Sequence, residues 1–351
     1  MVKLSILIPS NRDNLAAYSR IAQACSWANP SLEVIVRDNS GSAAKRQLLA
    51  QIERENCQII VVEPCEPREN WTQLFGQAKG EFVFFLSDDD VCFDRAIAAL
   101  PGIIAGVVDD RSVAGIAGTC AIETSQGTSI FAYPNIDADD PLARISGYLS
   151  SDGPNVLLFS PIRRQVMQFS LDLANAMPFS FSFSDQIISL LYLLSGKFSR
   201  LKRLMYVYDF GNWEIAETAQ LIDLDYYTAE KLDPAINKLH WFLCGFEGAT
   251  LIRNLNTLPN YTMAQRQAMA DLWFSTMFIR FKNHKRQSYS SALLQDADVL
   301  CEKWKSAAGR LSFHDMLVDI CEFMALSSKD NSLKYYAFWN AILNKRQASA
   351  A

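Results

Sequence analysis

The sequence predicts an α/β fold, a mostly parallel sheet flanked by helices, with a helical region after it. Two observations carry that expectation. Over the first hundred residues, short apolar runs alternate with amphipathic stretches, and continuous apolar strands separated by helices are the mark of a parallel sheet covered on both faces. Beyond Trp213 the periodicity becomes helical and stays so, interrupted at Pro234 and Pro259.

Each element follows from its own pattern. Residues 4–8 read as a strand, and 14–28 as a helix with Leu15, Tyr18, Ile21, Ala22 and Cys25 on one face. Strands at 32–36 and 59–62 are separated by a helix from about 43 to 55. A third helix, 71–78, is stopped by Gly80, and 82–86 forms a fourth strand. Val113–Thr124, 129–133 and Val156–Phe159 read as further strands, with a helix after Pro161. Asp185 opens an apolar helix closed by Gly196, and 198–208 is a last strand. With no internal repeat and no low-complexity linker, the chain divides into a sheet domain, 1–213, and a helical domain, 214–351.

Composition narrows the function classes. Half of the 351 residues are apolar and a fifth are charged, as in an ordinary globular protein with a sizeable core. A net charge of −5 argues against nucleic acid as a partner. The eight cysteines contain no C-x-x-C pair, which disfavours zinc and a disulfide framework and fits a reducing compartment. Residues 4–8 have no basic stretch before them and no cleavage site after them, a poor signal peptide. The central apolar run, 187–194, falls far short of the roughly 18 residues a membrane span needs. The expected location is cytoplasmic.

Three polar clusters follow predicted strands: Ser10-Asn11-Arg12, Asp38-Asn39-Ser40 and Asp88-Asp89-Asp90. Parallel sheets bind ligands at the carboxyl ends of their strands, so all three are expected on one rim. Three adjacent carboxylates repel one another unless a cation is present. Mg²⁺ and Mn²⁺ take oxygen ligands and often bind through one or two carboxylates plus substrate phosphates. A solvated turn, with one aspartate capping the helix near Asp94, is the plainer alternative.

These segments resemble family 2 glycosyltransferases. The resemblance rests on Ile8-Pro9-Ser10-Asn11-Arg12, on Val34-Ile-Val-Arg37-Asp38-Asn39-Ser40, and on Ala78-Lys-Gly80-Glu81-Phe-Val-Phe-Phe-Leu86-Ser87-Asp88-Asp89-Asp90, in the family's order and spacing. It spans residues 1–213 and weakens after Asp90. It implies a GT-A fold, Rossmann-like, with a C-terminal α-helical domain. It further implies Pro9, Ser10, Asn11, Arg12, Asp38, Asn70, Asp88 and Asp89 at a nucleotide, Asp38 accepting from the base, and Asp88 and Asp90 on Mn²⁺ or Mg²⁺. The implied partners are a nucleoside-diphosphate sugar donor and a glycan or lipid-linked hydroxyl acceptor, and the implied enzyme is hexosyltransferase-like. The family's catalytic Glu-Asp pair corresponds to Ser184-Asp185, which makes Asp185 the implied base; helix capping is the other reading of that aspartate. The family's later histidine has no counterpart in Tyr206-Val-Tyr-Asp209-Phe-Gly-Asn-Trp213, where Asp209 or solvent would stand in.

The Q-x-x-R-W segment of processive synthases is absent, so one sugar per encounter is expected. His240, His284 and His314 lack ligand spacing and read as structural or surface residues. Two basic clusters, Lys197-Arg200-Lys202-Arg203 and Arg280-Lys282-Lys285-Arg286, read first as solvated faces; the second, beside Trp273 and Phe274, keeps a peripheral membrane contact open. Two rival functions remain. One is a phosphatase or phosphotransferase using Asp88-x-Asp90, against which Cys92 stands where Thr or Val is expected. The other is a catalytically silent carbohydrate-binding or scaffold protein on the same fold.

Overall fold

The computed structural model describes residues 2–151, 155–180, 183–210, 214–259, 261–283, 289–307 and 312–344. Of the residues singled out above, Gly211, Asn212, Trp213, His284, Lys285 and Arg286 lie outside this range, as does the side chain of Asp209. The described residues form two compact units. One comprises 1–139, 151–172 and 195–214; the other comprises 140–150, 173–194 and 215–351.

The first unit begins with β1 (Leu4–Ser10), α1 (Leu15–Ser26), β2 (Leu32–Asp38), α2 (Ala43–Leu49), β3 (Cys57–Val61), α3 (Pro67–Phe75) and β4 (Phe82–Phe85). These four strands lie parallel in the order β3-β2-β1-β4. β1, β2 and β4 are buried almost throughout, which is why their sequences are continuously apolar. Gly80 sets the entry to β4. A Cβ there would fall 2.6 Å from the Ser5 amide nitrogen, so only glycine permits the approach. Its amide donates to Ser5 Oγ at 2.8 Å, and Ser5 in turn donates to the buried Glu33 at 2.5 Å.

Past β4 come β5 (Val91–Cys92), α4 (Asp94–Ile97), α5 (Leu100–Val107), β6 (Val113–Thr124) and the edge strand β7 (Gly127–Phe131). A two-residue strand, β8 (Ile162–Arg163), joins the halves of the sheet by pairing antiparallel with both β4 and β6. β9 (Lys197–Asp209) runs parallel to β6, and its end pairs antiparallel with β5. The sheet has nine strands among the described residues, the α/β class expected, with its second half mixed in direction. One expectation is corrected. Val156–Phe159 is a 3₁₀ turn, not a strand. A four-residue apolar run does not distinguish the two by periodicity, and β8 takes the place in the sheet.

The second unit is helical. It holds α6 (Pro141–Leu149), the last turn of α7 (Arg164–Ala176), α8 (Ser184–Ser195), α9 (Ala216–Ala229), α10 (His240–Asn254), α11 (Met263–Asn283), α12 (Leu294–Ala307), α13 (Phe313–Ser327) and α14 (Lys329–Asn344). The last switch between units follows Glu214, while two earlier helical stretches, 140–150 and 173–194, also group with the C-terminal helices. α10 is buried on nearly every side, as a helix apolar all round must be. Phe242 stacks on Trp304 with ring centroids 3.6 Å apart, and Trp273 Nε1 donates to the Cys244 carbonyl at 3.0 Å. No described helix is long and apolar enough to cross a membrane.

Candidate functional site

The parallel register places the predicted rim. Ser10 pairs with Asp38, and Leu7 with Phe85, so Ser10 and Asp88 each lie three residues past a paired position on adjacent strands. Ser10 Oγ donates to Asp88 Oδ2 at 2.5 Å. Arg12 reaches the same carboxylate through its other oxygen, and its Nη2 lies 2.6 Å from Asp89 Oδ2. Asp89 also accepts from Ser87 Oγ. The loops after β1 and β4 are therefore tied together by one guanidinium and one hydroxyl. Burial alone would lower the Arg12 pKa; the charges of Asp88, Asp89 and Asp90 outweigh it and raise it.

Asp38 departs from the expected picture. Its side chain is 0% exposed, and Lys45 Nζ, itself 2% exposed, lies 2.6 Å from Oδ1. The angle falls outside hydrogen-bond range, so the contact is an ion pair. Oδ2 accepts from Ser40 Oγ at 3.0 Å. In this conformation Asp38 serves Lys45 and has no surface to offer a base. Lys45 Nζ also donates to Ser10 Oγ and to the Arg12 carbonyl, each at 2.6 Å. A chain of contacts thus runs Asp38–Lys45–Ser10–Asp88–Arg12, two ion pairs bridged by one neutral hydroxyl.

Lys45 is the residue that sequence reasoning missed. Ser42 caps α2 by accepting from the Lys45 amide, which fixes Lys45 in the first turn. From there Lys45 and Leu49, four residues apart, are the two buried residues of the helix. A lysine on the apolar face was the only available signal.

The remaining predicted residues divide. Pro9 is half-buried and Asn11 exposed. Asn70 is buried in a network of its own: it accepts from Arg37 at 2.6 Å and donates to Asn39 at 3.2 Å, while Asn39 donates to the Cys65 carbonyl at 2.9 Å. Asp90 is buried, and beside it the Cys92 thiol is pushed well up, first by burial and then by the Asp90 charge. Asp185 stands in the first turn of α8, where a carboxylate suits the helix N-terminus, and its Oδ1 accepts from the backbone amide of the next residue, Gln186, at 2.8 Å. His240 is buried edge-on to Phe183 and Trp241, and His314 is exposed. All eight cysteines are free.

Among the described residues no group of three or more acidic, histidine or cysteine ligands gathers about a point. A divalent cation here would take Asp88 and Asp90 from the chain and complete its shell with phosphate oxygens and water, the usual arrangement for Mg²⁺. The donor atoms are of the right kind. Ser10 and Arg12 each engage one Asp88 oxygen, so such a cation would share that carboxylate with them and compete with the Arg12 charge. Chemically, the rim offers the guanidinium of Arg12, whose side chain is 41% exposed, beside a row of fixed carboxylates.

No family model matches the chain, and no curated protein does. Among solved structures it is similar to the crystal structure of S. aureus TarS 1–349, at 16% identity and a TM-score of 0.48, covering 99% of this chain and 90% of that one. The complex of TarS 1–349 with UDP gives the same values. The complex with UDP-GlcNAc gives 12% identity and a TM-score of 0.47, with 99% and 91% covered. These are distant likenesses.

Proposed function

We propose that the protein is a glycosyltransferase that moves a sugar from a nucleoside-diphosphate donor to a hydroxyl acceptor, with inversion and one sugar per encounter. The observation that carries this reading is the convergence of Ser10, Arg12, Asp38, Lys45 and Asp88–Asp90 at the carboxyl ends of β1, β2 and β4. Arg12 would hold the diphosphate, since a planar guanidinium matches phosphate oxygens. Asp38 and Lys45 would fix Ser10 and the rim rather than touch the base. A bound Mn²⁺ or Mg²⁺, held by Asp88 and Asp90, would neutralise charge on the departing diphosphate. We assign Asp185 the base's role on sequence resemblance alone. It would take the proton of the acceptor hydroxyl as that oxygen bonds to the anomeric carbon and the bond to the diphosphate breaks.

The phosphatase alternative needs Asp88 free to attack phosphorus. That carboxylate is 1% exposed with both oxygens engaged, which speaks against it. The test runs UDP-sugars, GDP-sugars and phosphate esters in parallel. Turnover of a nucleotide sugar without ester hydrolysis is expected; ester hydrolysis alone would replace this reading with the phosphatase. In the active enzyme Asp185→Asn should lower turnover by about two to four orders of magnitude. If Asp185 only caps α8, Asn is silent and Asp185→Ala costs about 1 kcal/mol of stability.

A further inference from the structure

Between Gly118 and Thr119, β6 advances by one residue while β9 advances by three, from Leu201 to Leu204. Lys202 and Arg203 therefore have no partners across this ladder. Such a bulge bends a strand and re-aims its side chains, and bulges gather at functional sites. Gly118 is what lets the bulged strands close: a Cβ there would sit 2.6 Å from the Met205 Cβ.

Beside the bulge lies a cavity of about 330 Å³, within the size range of small-molecule sites. Gly118 and Ala132 leave room in its wall, Thr119 and Tyr133 add polar character, and Arg200 and Lys202 bring two cations. Among the described residues no carboxylate lines it. Arg200 is held in place, donating to the Tyr133 carbonyl at 3.0 Å and pairing with Asp137 at 2.7 Å. Lys202 is exposed and makes no ion pair among the described residues. The cavity thus joins one braced cation, one uncommitted cation and space for a body of monosaccharide size.

We infer that this cavity is a binding site for the phosphate or carboxylate of an acidic sugar unit. The link to catalysis rests on the transferase reading, under which that unit belongs to the acceptor. The basic cluster of β9, read from sequence as a solvated face, then has a ligand.

Calorimetry on the full chain tests this with glucose 6-phosphate and glucuronate as probes and glucose as the neutral control. Saturable binding of at least one acidic probe, and none of glucose, is expected. Lys202→Glu should weaken it by roughly tenfold or more, as loss of a charge-assisted contact does. Ala132→Phe, which fills the cavity and keeps every charge, should weaken it comparably. Binding unchanged in Lys202→Glu would overturn the inference, as would binding that survives Ala132→Phe. Binding abolished by a nucleoside diphosphate would also overturn it, because the probe would then occupy the rim of β1 and β4. Titration of UDP into the same variants separates the two claims. UDP binding is expected unchanged in both, and its absence from wild type would sink the donor reading while leaving the cavity result standing.

Discussion

The rim of the first unit and the core of the second bury charge in opposite ways. At the rim, Asp38 is fully buried as an ion and is matched by an equally buried Lys45. In the helical unit, Glu247 of α10 is also 0% exposed, yet among the described residues it meets no cation: one hydrogen bond comes from Tyr335 Oη at 2.7 Å, and Oε2 has no partner there. Burial, opposed only by that hydrogen bond, pushes its carboxyl up to about 8. A buried charge needs a paired countercharge, whereas a solitary buried acid sheds its charge by keeping its proton. The first unit keeps charge at the rim where the proposed donor would bind, and the second neutralises it within a packed core.

The largest expected effect breaks the rim side of this contrast. Lys45→Met would leave Asp38 buried without its countercharge, a change that typically costs about 3–5 kcal/mol. Urea unfolding measures it, and adding Asp38→Asn should recover part of the loss. A cost below about 1 kcal/mol would mean that the pair is solvated in solution.

A pH titration of stability sharpens the other side. Below the unfolded-state value of 4.5, Glu247 is protonated in both states and its stabilising contribution is complete. As pH rises to about 8 the folded state retains a proton that the unfolded state has released, so stability falls. The loss over that window is on the order of 5 kcal/mol for this group. The facing titratable group is Tyr335, pushed well up first by burial and then by Glu247, so it stays neutral throughout. Glu247→Gln should flatten the decline between pH 5 and 8; an unchanged slope would show that another group titrates there.

The same contrast explains what the sequence revealed. The strands β1, β2 and β4 were legible because burial on both faces leaves them continuously apolar, and their polar ends were legible because charge follows directly on such runs. Two-residue β8 was not, since it is too short to carry a period. The helix expected over 43–55 stops at Leu49, with turns and one isolated bridge, Arg54 to Cys57, after it. The burial of Asp38 and Lys45 was hidden for a different reason. Each residue alone looks solvated, and only the packing of α2 against the rim makes them a pair.

Under the proposed function, the rim of β1, β2 and β4 holds a nucleoside diphosphate. Calorimetric titration of UDP with Mn²⁺ into wild type and Asp90→Ala tests it most directly, with thermal melts as the control for folding. The expected result is saturable binding that Mn²⁺ strengthens and that Asp90→Ala loses without a drop in melting temperature. Equal affinity for wild type and Asp90→Ala, or no binding by a folded wild-type protein, would contradict the account.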